Sequence, residues 1–320
     1  MPSKVLVIGG NGFIGYNLAE ALVWSGYEVT ISSRRKGSLS QKLGIELYLD
    51  LDTMDPDQLD SLLKGFDKLI FCGGADDRTV IKGDARQFFR KENVELIFHL
   101  AQACLRCRIH DVLIMGSYFT YHDRLNPSWK LTERHPYILS RKEQAEECTS
   151  VSNKDTKFSI IEIPYVFGSS PGQRSLWSPL VKYISSSPIV FYTPGGTNCI
   201  SVQSLCKAIC NILSSETYRK AWCISGRNIS WKEMIGLISA ALGKKRKVLT
   251  IPEFILMPLG GLLKLYFKLT GRQMGLDPFH YMPIQCRYTY IDSEKDGVID
   301  TGQDIKLESA IRESVLSSKL

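Results

Sequence analysis

The sequence predicts an α/β fold: a doubly wound parallel sheet with a smaller C-terminal domain interleaved with it. Three observations carry this. Short, continuously apolar runs alternate with helix-length segments through the first half; a glycine-rich turn follows the first apolar run; and the regular alternation ends after Pro164. A strand covered by helices on both faces must be apolar on both, so a run such as Val5-Leu6-Val7-Ile8 reads as a buried parallel strand.

In chain order, residues 5–8 form a strand, 15–25 a helix, 28–32 a second strand and 44–49 a third. A helix over 56–64 leads to a fourth strand at 68–72 and one long helix over 85–107. Residues 112–115 are a fifth strand, 137–151 a helix and 158–163 a sixth strand. Such alternation implies right-handed crossovers and helices on both faces. Beyond it, 176–185, 202–213 and 231–242 read as helices, and 188–192 and 221–225 as short strands. Ser230 and Glu233 have the spacing of a capping box. The expected division is a dinucleotide-binding domain over 1–165, with a return near 200–225, and an interleaved substrate-binding cap over 166–320.

The 320 residues are 44% hydrophobic and 23% charged, enough apolar content for a sizeable core. The net charge of +7 is spread out, with short basic runs at 34–36 and 244–247. It reads as solvated surface that favours an anionic cofactor or substrate, not as a nucleic-acid face. Nine cysteines, an odd number scattered through apolar stretches, imply reduced thiols and a cytoplasmic setting. Cys104 and Cys107 lie in a helix-like run and read as structural. His99 reads as packed, and His122, His135 and His280 lack ligand-like spacing, so no metal is expected. The chain enters its first strand at once, with no leader of signal-peptide type before it. The stretch 251–269 is apolar but carries Pro252, Glu253, Pro258, Lys264 and Lys268. That excludes a span and leaves core packing, the lining of an apolar pocket or peripheral contact with a membrane surface.

Gly9, Gly12 and Gly15 follow the first strand with the spacing of a Rossmann-type phosphate-binding turn. The first glycine permits a tight turn, the second a close approach of backbone to a pyrophosphate, and the third close packing of helix on sheet. The amides that open the helix, including those of Phe13 and Ile14, then face the phosphates. At the end of the second strand stand Ser32, Ser33, Arg34 and Arg35 where an acidic residue would select NAD. Hydroxyls followed by guanidinium groups suit a 2′-phosphate, so NADP is preferred and NAD is the alternative.

These residues resemble the extended short-chain dehydrogenase/reductase family, which contains NAD(P)-dependent epimerases and dehydratases. The resemblance places Asp50 and Leu51 near the adenine. It runs the backbone of Cys72, Gly73 and Gly74 past the cofactor, puts Asn93 in a recurring Asn-Val pair, and sets Pro164 and Val166 beside the nicotinamide. It implies Tyr137 as general acid/base and Ser117 as the residue that orients the substrate oxygen. Arg141 stands where the family's Tyr-x-x-x-Lys pattern has Lys, Ile163 where many members have Arg, and Gln203-Ser204 where an acidic pair is usual. It also implies a homodimer through 85–107 and 137–151.

The function expected is oxidoreduction, epimerisation or dehydration at a carbinol or ketone carbon of a sugar-like or nucleotide-linked small molecule. Two alternatives stand beside it: a non-catalytic NADP(H)-binding sensor or assembly protein, and a reductase of an apolar, steroid- or lipid-like substrate.

Overall fold

The computed structural model describes residues 2–34, 45–48, 51–302, 304 and 306–319. Six strands lie on the predicted apolar runs: β1 (Lys4–Ile8), β2 (Glu28–Ser33), β3 (Ile45–Tyr48), β4 (Lys68–Phe71), β5 (Asp111–Met115) and β6 (Lys157–Glu162). Two later strands, β7 (Ala221–Ser225) and β8 (Val298–Asp300), join them. The sheet is parallel throughout and runs β8-β7-β6-β5-β4-β1-β2-β3. Its direction of winding reverses between β1 and β4, which opens a crevice at the carboxyl ends of those strands.

In the first half the strands are joined by α1 (Phe13–Trp24), α2 (Pro56–Leu63), α3 (Ala85–Arg90), α4 (Leu96–Cys107), α5 (Tyr118–Leu125) and α6 (Pro136–Ser150). The second half adds α7 (Ser178–Ser186), α8 (Val202–Ser214), α9 (Trp231–Ala241), α10 (Glu253–Leu269), α11 (Pro278–Gln285) and α12 (Leu307–Ser317). The period of two along β1 divides the core. Val5 and Val7 pack with Leu18 and Leu22 of α1 and Leu205 and Ile209 of α8. Leu6 and Ile8 pack on the opposite face with Leu63 of α2 and Ile97 and Leu100 of α4.

Four local expectations are corrected. His99, expected to be packed, is exposed. The single helix over 85–107 is two α-helices joined by a π-helical stretch, Lys91–Glu95, which contains the buried Asn93. Ser230 caps α9 by accepting the Glu233 amide at 3.1 Å, but the Glu233 carboxylate pairs with Arg227, so the box is half formed. The apolar stretch at 251–269 is not core: within α10, Leu256 and Gly260 are the buried residues.

The second half builds its own small sheet. Gly196–Ser201 pairs antiparallel with Arg227–Ser230 and parallel with Tyr165–Phe167 and Tyr288–Thr289. The acidic pair missing at Gln203-Ser204 is replaced from elsewhere. Asp304, nearly fully buried, accepts the Ser201 amide, the Ser201 hydroxyl at 3.0 Å and the Ser204 hydroxyl at 2.6 Å. A carboxylate at the start of α8 also complements the helix dipole.

Two histidines are buried as neutral rings. His122 in α5 stacks on Trp129 with centroids 6.0 Å apart, and His135, just before α6, accepts the Asp277 amide on Nδ1 at 3.0 Å. Burial lowers both from the ordinary 6.5 to about 4, with Asp277 pulling weakly the other way at His135. The folded values lie below the unfolded ones. Between about pH 6.5 and pH 4 the unfolded chain therefore binds protons that the folded chain refuses, and stability falls as pH falls. The loss approaches on the order of 3 kcal/mol per histidine. Urea midpoints measured across this window should drop toward acid, and His122→Phe should flatten the slope.

Candidate active site

The crevice between β1 and β4 is lined first by the glycine turn. Gly9 has φ +79°, and its amide and that of Gly10 donate to the Ser32 carbonyl at 2.9 and 3.1 Å. A Cβ on Gly15 would lie 2.3 Å from the Gly9 carbonyl oxygen, so no larger residue fits where α1 crosses the turn. A Cβ on Gly9 would press on Cys72 at 3.1 Å, so the turns after β1 and β4 touch. α1 begins after Gly12 with no side-chain cap. The Phe13, Ile14 and Gly15 end of α1 thus presents amides and a partial positive charge to the crevice, the arrangement a pyrophosphate requires. The loop after Phe167 closes over this turn: Asn17 Nδ2 donates to the Ser169 carbonyl at 3.1 Å, and Gln173 Nε2 donates to the Asn11 carbonyl.

At the end of β2, the Ser33 hydroxyl accepts Asn11 Nδ2 at 2.7 Å and Arg34 is exposed. Arg35 and Asp50 lie outside the described residues. Leu51 is buried against the core face that holds Leu59 and Leu63.

The other end of the crevice is organised around Arg141. This side chain, only 7% exposed, points inward from α6. One terminal nitrogen donates to the Met115 carbonyl at 3.3 Å and to Gln144 Oε1 at 3.0 Å; the other donates to the Ala75 carbonyl at 3.2 Å. It therefore ties the ends of β4 and β5 to α6. Its guanidinium carbon lies 5.3 Å from the centre of the Tyr137 ring, a cation–π contact. Gly74, at φ +105°, passes so close that a Cβ there would meet Asn93 Oδ1 at 2.6 Å.

Asn93 sits one layer behind the crevice. It is fully buried, accepts the Ala75 amide at 2.8 Å and donates to the Ala75 carbonyl at 3.3 Å and the Ser140 hydroxyl at 3.0 Å. Its side chain is thus spent on holding the turn after β4. Ser140 passes the link on by donating to the Tyr137 carbonyl at 2.8 Å.

Tyr137 occupies the first turn of α6, 7% exposed, with its ring edge-on to Phe89 at 5.8 Å. Its amide donates to the Gly275 carbonyl at 3.0 Å, and a Cβ on Gly275 would meet Tyr137 Cβ at 2.8 Å. Ser117 begins α5, and its Oγ accepts the Phe119 amide at 3.3 Å. Pro164 is buried, and Val166 packs against the core face that includes Val202.

The sequence pattern did not point to the polar group beyond Tyr137. Asp77 lies on the turn after β4, with Arg78 Nε 3.9 Å away. Burial raises its carboxyl to about 6, against the opposing pull of Arg78 and Arg141. Its charge is felt at the hydroxyls of Tyr118, Tyr165 and Tyr281. The Tyr165 and Tyr281 hydroxyls are 3.1 Å apart, and that of Tyr118 is 3.0 Å from Thr197 Oγ1. Burial pushes the Tyr118 phenol up to about 12 and also raises the other two. These residues come from segments spread between positions 77 and 281, and no motif connects them.

A family model described as the NAD dependent epimerase/dehydratase family matches residues 5–213. Eugenol synthase 2 from Clarkia breweri is 35% identical over 109 residues, covering 28% of this chain and 35% of that enzyme. This chain thus spans about a third of the curated relative it matches. The solved UDP-glucuronic acid 4-epimerase from Bacillus cereus, in complex with UDP-glucuronic acid and NAD, is similar with a TM-score of 0.69 at 15% identity over 99% of both chains. UDP-N-acetylglucosamine 4-epimerase from Methanobrevibacter ruminantium M1, in complex with UDP-N-acetylmuramic acid, is similar with a TM-score of 0.66 at 20% identity over 100% of both. At these identities the structural likeness establishes the fold.

Removing the Asn93 side chain takes the acceptor from the half-buried Ala75 amide, while the Ala75 carbonyl keeps Arg141. Asn93→Ala should lower stability by about 2 kcal/mol and speed amide exchange at Ala75, both read by hydrogen exchange with mass spectrometry.

Proposed function

Since the chain belongs to the NAD dependent epimerase/dehydratase family, we propose that it oxidises and reduces a carbinol carbon of a sugar-like or nucleotide-linked substrate, with Tyr137 as general acid/base and NADP(H) preferred over NAD(H). When bound, the dinucleotide supplies the two-electron acceptor and donor. The observation that carries the reading is Arg141: its guanidinium lies 5.3 Å from the Tyr137 ring at the mouth of a crevice whose other end is an uncapped glycine-turn helix.

A phenol with an ordinary pKa near 10 is a weak base at neutral pH. A fixed positive charge beside it favours the phenolate and so the transfer of a proton from a carbinol oxygen. A guanidinium is a poor proton donor and acceptor, so Arg141 acts as an electrostatic bias and takes no part in a proton relay. Ser117 Oγ serves as acceptor for the Phe119 amide, which leaves its own proton to orient the carbinol oxygen. Asp77, ionised above about pH 6, accepts hydroxyls of a polyol substrate, with the tyrosine cluster behind it. The backbone of Gly9 to Gly15 holds the pyrophosphate, and Arg34, joined by Arg35, holds the 2′-phosphate. A homodimer through α3, α4 and α6 and a cytoplasmic location belong to the same proposal.

A second reading, nucleotide binding without turnover, is favoured by one feature: the Gly275 backbone lies directly on Tyr137.

The first test is to denature the purified protein and identify released nucleotide by mass spectrometry, with NADPH and NADH titrations in parallel. A retained cofactor fits internal recycling by an epimerase or dehydratase; an empty protein that binds NADPH reversibly fits a reductase. Arg34→Ala should weaken NADPH about tenfold and leave NADH unchanged. Tyr137→Phe should lower kcat by about 10²–10⁴ with cofactor affinity intact; unchanged kcat rejects its role, and binding without turnover by the unaltered protein selects the second reading. KM for a polyol substrate should rise as pH falls through about 6, by about tenfold, and Asp77→Asn should hold it at the higher value across the range.

A further inference from the structure

α10 touches the body along one narrow stripe. Leu256 and Gly260 are its buried residues, and a Cβ on Gly260 would lie 2.8 Å from Met282 Cγ and the Pro278 carbonyl oxygen of α11. With successive residues about 100° apart, the arc opposite that stripe holds Phe254, Leu259, Leu262, Leu265, Tyr266 and Leu269. All six are exposed, Phe254 at 75%, Leu262 at 63% and Leu269 at 78%. A surface helix of a soluble fold turns its polar face outward; the outward arc of α10 carries no charge.

The charges border the arc on one side. Lys264 and Lys268 stand one turn apart, and Arg272 follows directly, paired in register with Lys82 on the neighbouring strand. Lys264 meets Asp277 at 2.7 Å, while Lys268, Arg272 and Lys82 have no carboxylate partner among the described residues. The nearby carboxylates are engaged as helix caps: Asp277 accepts the His280 amide, and Asp84 accepts the Gln87 amide.

We infer that α10 seats this protein on an anionic lipid surface, lying in the bilayer plane with its apolar arc at the acyl boundary and its basic border at the lipid phosphates. No helix among the described residues is long and apolar enough to cross a membrane, so the contact is peripheral. Charge decides between lipid and a second copy. Glu253 is the only carboxylate on α10, against Lys268, Arg272 and Lys82 beside it, so a symmetric pairing across the arc would still collect excess positive charge at its seam, whereas anionic headgroups supply the missing countercharge. An apolar helix face combined with basic residues is the pairing that interfacial helices use.

The test is co-sedimentation of the full chain with sucrose-loaded vesicles of phosphatidylcholine, with and without phosphatidylglycerol, at low and high salt. The protein should pellet with the anionic vesicles, and high salt should weaken this several-fold. Lys268→Gln with Arg272→Gln should reduce binding by about tenfold or more. Leu262→Glu with Leu269→Glu should abolish it; both positions are exposed, and circular dichroism checks the fold. If that pair fails to fold, the salt and charge arms decide. No pelleting of the folded chain, or undiminished pelleting of the folded variants, overturns the inference. So does a dimer seen by light scattering, dissolved by Leu262→Glu, in a protein that ignores vesicles: the second copy is then the occupant.

Discussion

A guanidinium buried in protein must find acceptors, because its desolvation is otherwise uncompensated. Arg141 finds three, and their positions shape the end of the crevice away from the glycine turn. Two are backbone carbonyls, one at the end of β5 and one in the turn after β4, and the third is a side chain one turn along its own helix. The charge therefore joins the turn after β4, the end of β5 and the helix that carries Tyr137. Asn93 and Ser140 run parallel to it as a neutral hydrogen-bonded chain between the same elements.

Arginine rather than lysine at this point has a structural consequence. A lysine ammonium is a compact charge on a flexible stem, while the guanidinium is a planar fork that can reach two carbonyls at once. Here most of the fork is spent on protein acceptors, and Nε is buried without a partner among the described residues. Arg141 thus combines a scaffold role with the electrostatic one proposed for it.

The second half of the chain completes the site by returning to it repeatedly. Asp304 anchors the start of α8, Gly275 covers Tyr137, and Tyr281 of α11 meets Tyr165. α10 is bound to α11 by close approach at Gly260 and otherwise faces away from the body. The same segment therefore presents an apolar surface with α10 and reaches the tyrosine cluster with α11.

Much of the fold was legible because it is local. The apolar run of β1, the glycines after it and the strand–helix alternation each need only adjacent residues. The glycine turn was legible for the same reason: contacts below 3 Å at Gly15 leave no room for a side chain, and chain geometry alone requires that. Tyr137 and Arg141 share a helix turn, so their proximity also follows from spacing. The sequence could not determine what meets them. β8 is three residues long and carries no period. Asp77, Tyr281, Gly275 and Asp304 arrive from loops and helices far apart in the chain. Nor does apolar composition distinguish a buried helix from an exposed one, and α10 was told apart only by which arc packs on α11. Local conformation is set by neighbours in the chain, whereas a site and a surface are set by neighbours in space, and only the tertiary structure decides who those are.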